Sequence, residues 1–207
     1  MRKTPSFLLE DPDEVKRLIR QNPWATIVAN TGAGLVASHY PVLLEEDAAG
    51  ISIVTHVGRP DDELLEIGEN EILVIVQGPH GYISPSWYEN DAFVPTWNHV
   101  TAHLYGIPQI LSEDENFAVL DRLVEHFEKR MPRPASLAMD EHAARGIARG
   151  TVGLRVEVTR FDARQKLSQN KSREVVERIL HHLGHDATYG NPALAEEMRR
   201  VHPIAST

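Results

Sequence analysis

The chain has no cysteine, which excludes disulfide bridges, thiolate nucleophiles and thiolate metal ligands. Long hydrophobic runs are absent as well, since no stretch approaches the roughly 18 apolar residues that a membrane-spanning helix requires. The apolar run near the start, Phe7 to Leu9, is too short for a signal peptide. We therefore expect a cytoplasmic protein with no membrane segment.

Positive charge is also scarce. The sequence has 21 Lys and Arg residues against 30 Asp and Glu residues, and a formal net charge of -9. Duplex binding depends largely on cations that displace condensed counterions, so the overall charge does not favour nucleic acid. The sequence shows no helix-turn-helix pattern either. DNA binding would need a local basic patch, and the most basic stretch contains Arg145, Arg149, Arg155, Arg160, Arg164, Lys166, Lys171 and Arg173.

Common metal and phosphate motifs are missing from the sequence. Thr31 to Gly34 has glycines but lacks the lysine and the following helix of a phosphate-binding loop. His99 and His103 share one face of a predicted strand about 13 Å apart, too far to share an ion. His181 and His185 are one helical turn apart, but the glutamate of the metalloprotease pattern is absent. We therefore predict no metal site.

Apolar runs separated by Gly, Asn and Asp predict a fold that is mainly β with helices. With 207 residues and 42% hydrophobic content, the chain can bury the core of one globular unit. Strands joined by tight turns must be antiparallel, which favours a β-barrel with helical decoration over a parallel sheet. The predicted strands are 24–30, 35–44, 51–57, 72–77, 96–105 and 152–158, the last in the chain. The predicted helices are 11–22, 59–70, 112–130, 136–148, 172–183 and 192–201.

The segment from Gln77 to Gly106 is unusually aromatic. It holds two of the three tryptophans, three of the five tyrosines and three of the eleven histidines. Prolines fix this segment and polar residues such as Asn98 interrupt it, a mixture that suits a surface meeting a flat ligand with polar edges. An aromatic mini-core or a subunit interface is the alternative interpretation.

Two further segments have the groups that flavin mononucleotide (FMN) requires. Its phosphate needs cations, hydroxyls or backbone N–H groups, and its ring needs an apolar wall and polar edge groups. Thr55 to Arg59 lies at a strand end before a predicted helix, where an anion is favoured. Lys166 to Asn170 offers a cation, a hydroxyl and two amides in five residues. Ordinary turn and capping chemistry explains each segment equally well.

Four blocks of this sequence resemble the PaiB-type family of FMN-binding negative transcriptional regulators. The block Q-G-P-H-G-Y-I-S-P-S-W-Y is highly specific, and the four occur in the expected order. They are His39–Leu44, Gln77–Tyr88, Val94–Asn98 with His103–Gly106, and Lys166–Asn170. The resemblance implies an FMN-binding split β-barrel related to pyridoxamine 5'-phosphate oxidase, and a homodimer with ligand sites between subunits. It covers about residues 5–183. We expect residues 1–183 to form the split-barrel domain with its helical decoration and residues 184–207 to form a C-terminal helical extension.

The resemblance implies a place for the phosphate, and the chemistry of the side chains suggests roles for individual residues. Related split barrels bind the flavin phosphate at a strand-to-helix segment, here Thr55 to Asp62, which includes His56. Arg59 and Lys166, with Ser168, would hold the phosphate. Trp97 would supply an apolar face, and the expected polar contacts to the ring or ribitol are Gln77, Asn98, Gln169 and Asn170.

The chain departs from the family pattern directly after this strand. Arg59-Pro60 is followed by Asp61-Asp62-Glu63, where a neutral or basic run is expected. Three acids close to a phosphate would oppose its binding. The segment at Lys166 would then matter more for phosphate binding.

Two other functions are compatible with the sequence. A flavin-dependent oxidoreductase that uses NADH or NADPH needs no acid, base or nucleophile of its own, because the flavin does the redox chemistry. A haem-binding split barrel would need an axial ligand. The histidines that could supply it are His39, His56, His80, His99 and His103.

Overall fold

The computed structural model describes residues 4–88 and 94–202. These ranges contain strands, α-helices and short 3-10 turns. The strands are β1 (Trp24–Thr31), β2 (Gly34–Leu44), β3 (Ser52–Gly58), β4 (Ile72–Ile83), β5 (Thr96–Gly106), β6 (Pro108–Ile110), β7 (Thr151–Glu157) and β8 (Arg160–Lys166). The helices are α1 (Pro12–Gln21), α2 (Asp61–Leu64), α3 (Glu113–Glu128), α4 (Glu141–Ala148), α5 (Arg173–His185) and α6 (Pro192–Val201).

The strands hydrogen-bond in the order β6-β7-β3-β2-β1-β4-β5-β8. β1 pairs with β2 and β4, and β3 pairs with β2 and β7, in each case antiparallel as predicted. The hairpin of β1 and β2 turns at Gly34, whose φ of 110° few other residues adopt. The antiparallel prediction from tight turns is therefore confirmed.

The chain folds into two compact units. The central unit comprises residues 11–76 and 103–161, and the terminal unit comprises residues 1–10, 77–102 and 162–207. In the central unit, α3 packs on β7 and β3. One buried cluster there consists of Leu43, Val54, Leu111, Val119 and Leu123. In the terminal unit, α6 buries Leu194, Ala195 and Met198. Residues 184–202 are thus packed within the terminal unit.

Helix α3 begins where the sequence predicts. Ser112 and Glu115 form a reciprocal capping box, in which Ser112 Oγ accepts from the Glu115 N–H and Glu115 accepts from the Ser112 N–H. The helix predicted over 59–70 was wrong. Only the four residues of α2 are helical there, because Glu66 and Gly68 adopt φ values of 47° and 93° that no helix permits.

The prediction that the strand at 152–158 is the last in the chain was also wrong. β8 follows it after a short turn, although its sequence, R-F-D-A-R-Q-K, lacks the β-branched residues that identify strands. Its pattern of mostly half-buried side chains explains why polar residues are tolerated there. Over the described ranges, the helices are too short or too polar to cross a lipid bilayer.

Candidate functional site

His56 lies on β3 and lines a cavity of about 460 Å³ in the central unit. The remaining lining comes mostly from apolar side chains of α3, α4 and the turn before α4, which are Leu120, Val124, Leu137, Met139, Ala143, Ala144, Ile147 and Ala148. Ser136, Asp140 and Thr151 add polar groups. Ligand cavities in proteins commonly hold about 300–1,000 Å³ with this mixture of apolar wall and few polar groups.

The environment of His56 keeps its imidazole neutral. Burial lowers the pKa of His56, because a charged ring would lose its hydration. Its Nδ1 is buried and has no hydrogen-bond partner within the described residues. The ring packs edge-on against Tyr40, with centroids 6.0 Å apart. His56 therefore adds a neutral aromatic group to the cavity wall.

Tyr40 links this wall to the strand end that the sequence predicts as a phosphate site. Its hydroxyl accepts a hydrogen bond from the Gly58 N–H at 3.0 Å and donates one to Asp61 Oδ2 at 2.8 Å. Ser38 Oγ donates to the same carboxylate oxygen at 2.5 Å. These hydrogen bonds, that of Ser38 first, hold the pKa of Asp61 below its ordinary value. The carboxylate of Asp61 is thus fixed between two hydroxyls.

Arg59 directs its guanidinium to a second acid of the same segment. Its Nη1 lies 2.8 Å from Asp62 Oδ2, while its backbone N–H donates to the Gly150 carbonyl at 2.9 Å. Arg59, the cation predicted for a phosphate, is thus paired with an acid of its own segment. Asp61 and Asp62 accept the hydrogen bonds of Ser38, Tyr40 and Arg59.

Arg59 also lines a smaller pocket of about 310 Å³, together with Arg145 and Arg149. Ala148 and Thr151 line both this pocket and the cavity at His56, so the two adjoin. Arg145 is paired with Asp114 at 2.9 Å and with Glu141 at 2.7 Å. The pocket thus combines arginines with acids rather than presenting a bare cationic surface.

Part of the aromatic segment forms an exposed cluster in the terminal unit, whereas Trp87 and Tyr88 are buried. The side chain of Trp97 is 56% exposed. His80 stacks beside it with centroids 6.4 Å apart, and Tyr82 packs edge-on at 6.2 Å. Gln77 Nε2 lies 3.2 Å from His80 Nδ1. Trp97 therefore exposes a flat apolar face, and its role as a flavin contact stays a prediction.

Lys166 lies beside this cluster at the end of β8. Its Nζ donates to Thr96 Oγ1 and to the Trp97 carbonyl, the latter at 3.0 Å. Burial, followed by the charges of Arg164 and Lys171, lowers the pKa of Lys166. The ammonium group is therefore already bound to neutral oxygens of β5.

The other predicted contacts of the terminal unit make hydrogen bonds inside it. Asn98 is fully buried, and its Nδ2 donates to Ser168 Oγ at 2.9 Å. Ser168 is buried too and has a φ of 66°. Gln169 closes the turn, since Oε1 accepts from the Leu167 N–H and Nε2 donates to the Gln165 carbonyl. Asn170 is exposed. For Asn98, Ser168 and Gln169 these contacts are those of a folded turn, and their predicted ligand roles stay predictions.

The structure thus places the predicted residues in two groups. His56 and Arg59 belong to the central unit, and Gln77, Trp97, Asn98 and 166–170 belong to the terminal unit. Sequence reasoning missed Ser38 and Tyr40, although their alternation on a predicted strand put both on one face. Within residues 4–88 and 94–202 no cluster of three or more His, Asp or Glu side chains is arranged to hold a metal ion.

Comparisons with known proteins agree with the resemblance seen in the sequence. Residues 1–160 match the model of a family described as "Putative FMN-binding domain". The chain is 29% identical over 195 residues to the protease synthase and sporulation protein PAI 2 of Bacillus subtilis, covering 93% of each chain.

Two solved structures share the fold. The flavocytochrome Anf3 from Azotobacter vinelandii superimposes with a TM-score of 0.62 at 14% identity, over 86% of this chain and 78% of its own. The FAD and heme binding protein from Mycobacterium smegmatis gives a TM-score of 0.60 at 16% identity, over 82% and 78%. The fold is the predicted split β-barrel with helices.

Proposed function

Since this chain belongs to the FMN-binding domain family, whose model matches residues 1–160, we propose that it binds a flavin ring in the cavity beside His56. The observation that carries the proposal is the cavity itself, about 460 Å³ with a largely apolar wall. An isoalloxazine ring needs such a wall along its faces and a few polar groups at its edge. Asp140, Ser136 and Thr151 are the polar groups that line it.

The protein's contribution is to bind and orient the ring and to keep water away from it. His56 supplies a neutral ring whose orientation is fixed by Tyr40, at a centroid distance of 6.0 Å. A bound flavin would supply electron-transfer chemistry that no side chain here provides. The predicted flavin contacts of the terminal unit remain predictions, and they are Gln77, Trp97, Asn98, Lys166, Ser168, Gln169 and Asn170.

We expect the functional form to be a homodimer, as the resemblance implies. Two large apolar side chains at the cavity are strongly exposed, Met139 at 80% and Ile147 at 78%. Exposed apolar side chains beside a cavity are typical of surfaces that a partner or a ligand covers. A second copy would shield both the cavity and these side chains from water.

The family resemblance implies a regulatory role. We propose that this role does not depend on strong contact to duplex DNA. The cations of the most basic stretch are largely engaged by the protein itself. Arg155 binds Glu45 at 2.9 Å, Arg160 binds Glu71 at 2.7 Å and Arg173 binds Glu177 at 2.8 Å. Paired cations release few counterions from DNA, so a flavin-dependent partner interaction is the better route to regulation.

Haem is a second candidate, favoured by one observation. His56 is a neutral imidazole at a cavity, the form in which histidine ligates haem iron. The absorption spectrum of the purified protein, recorded alone and after addition of FMN or haemin, separates the cases. Flavin bands with quenched fluorescence would support the flavin proposal. A haem Soret band without flavin binding would contradict it and identify a haem-binding protein. Oxidation of NADH or NADPH by flavin-loaded protein would identify an oxidoreductase.

A further inference from the structure

The strand end at Gly58 holds a set of donors that already bind an anion of the protein's own. Ser38 Oγ and the Tyr40 hydroxyl donate to Asp61 Oδ2 at 2.5 and 2.8 Å. Arg59 Nη1 lies 2.8 Å from Asp62 Oδ2. Hydroxyls and a guanidinium are the groups with which proteins bind phosphate oxygens. A carboxylate oxygen and a phosphate oxygen compete for the same donors.

One carboxylate oxygen of the acidic segment lacks a hydrogen-bond partner. The Asp62 side chain is only 13% exposed, and its Oδ1 is buried with no hydrogen-bond partner among the described residues. A buried carboxylate oxygen without a donor is costly. Helix α2, which contains both acids, is only four residues long. Of the donors at this strand end, only Arg59 binds Asp62, through the other carboxylate oxygen.

These donors lie next to the cavity proposed for the flavin ring. The Tyr40 ring that supplies one donor packs on His56, which lines the cavity. A ligand whose ring occupies the cavity and whose phosphate reaches this strand end would meet Asp61 and Asp62. The phosphate would have to displace both carboxylates, against the repulsion of like charges.

We propose that Asp61 and Asp62 are specificity-determining residues that act as internal competitors for the phosphate of FMN. The site then binds the phosphate-free flavin, riboflavin, at least as tightly as FMN. This inference rests on the proposed function, because it concerns the same cavity. It assigns to the acids of α2 a selective role against the phosphate-bearing ligand.

The test compares the dissociation constants of FMN and riboflavin for the full chain and three variants by fluorescence titration. Asp61→Asn keeps an acceptor for Ser38 and Tyr40 but removes the charge, so the fold is retained. Asp62→Asn does the same beside Arg59. Glu63→Gln is the control, because it removes one negative charge from the same helical turn without touching these hydrogen bonds.

Each substitution at Asp61 or Asp62 should strengthen FMN binding about tenfold, since one like charge near the phosphate is lost. Riboflavin binding should stay unchanged, and Glu63→Gln should change neither. Unchanged FMN affinity in both Asp variants, or an equal gain for riboflavin, overturns this inference alone. Binding of neither flavin by any of the four proteins overturns the proposed function, and the inference with it.

Inorganic phosphate gives a readout that does not depend on a bound flavin. It should raise the thermal unfolding midpoint of the Asp61→Asn variant more than that of the natural chain, because the variant lacks the negative charge that repels the anion from these donors. An equal rise in both proteins would contradict the competition.

Discussion

The Tyr40 hydroxyl accepts a hydrogen bond from the backbone N–H of Gly58 at 3.0 Å and donates one to Asp61 at 2.8 Å. One side chain of β2 thus fixes both the end of β3 and the first residue of α2. Its ring also packs on His56, with centroids 6.0 Å apart. Tyr40 therefore joins the acidic segment to the wall of the proposed flavin cavity.

Tyr40→Phe should destabilise the protein more than Ser38→Ala. The phenylalanine removes both hydrogen bonds of the hydroxyl and leaves the Gly58 N–H without its acceptor, at a cost of about 1–3 kcal/mol. Ser38→Ala removes one donor to Asp61 and leaves Gly58 bonded, so its cost should be smaller. Chemical denaturation of both variants measures the difference. Equal free energies of unfolding would show that the bond to Gly58 contributes nothing.

Asp61 should make stability depend on pH in the acid range. Hydrogen bonds from Ser38 and Tyr40 depress the pKa of Asp61 in the folded state. A group with a depressed folded pKa contributes stability that is full above its unfolded pKa and lost as the pH falls through the folded pKa. The unfolding free energies of the natural chain and Asp61→Asn should therefore converge as the pH drops below about 4.

Denaturation series at several pH values measure this convergence. Ser38→Ala is the informative comparison, because it removes the leading cause of the pKa shift and should reduce the pH dependence. A constant difference between Asp61→Asn and the natural chain from neutral to acid pH would contradict the account.

Asn98 and Ser168 should behave as a coupled structural pair. Both are buried, and Asn98 Nδ2 donates to Ser168 Oγ at 2.9 Å. Each alanine substitution should cost about 1–3 kcal/mol, because it leaves a buried partner unsatisfied. The double variant should cost less than the sum, by roughly 1 kcal/mol. Additive costs together with a loss of flavin binding in folded Asn98→Ala would instead support its predicted ligand role.

Duplex DNA should bind weakly, if at all. The net charge is -9, and cations of the basic stretch such as Arg155 and Arg160 are paired with glutamates. Band-shift titrations at increasing salt are the measurement. We expect no specific shift at physiological salt. A tight complex whose affinity falls steeply with added salt would show that phosphate contacts dominate and would overturn this expectation.

The sequence predicts the fold well where local chemistry decides it. The capping box of Ser112 and Glu115 marks the start of α3 because it needs only two residues three apart. The alternation on β5 places Asn98 in the core and Trp97 on the surface, as the period of a strand requires. Strand β8 was not predicted, because its sequence is rich in charged residues. These residues occupy partly exposed positions of the sheet, and only the assembled sheet shows which positions are partly exposed.

The site is harder to predict from the sequence than the fold. His56 and Arg59 are chemically conspicuous, and both line pockets. Ala144 and Ile147 also line the proposed cavity, but they look like ordinary helix residues, and only tertiary packing brings α4 to β3. The pairing of Asp61 with Ser38 and Tyr40 spans more than 20 positions in sequence. No local pattern specifies such a contact, although the sequence alone identifies the acids as unusual at this position.

A cavity-filling substitution tests whether the cavity at His56 is the flavin site. Ala144→Trp fills the cavity from α4, whereas Ala118→Trp places the same side chain on the exposed face of α3, outside the cavity lining. Fluorescence titration with riboflavin and FMN gives the dissociation constants of the natural chain and both variants. We predict that Ala118→Trp binds flavin like the natural chain and that Ala144→Trp binds at least about tenfold more weakly. Equal affinity of the two variants would contradict the claim.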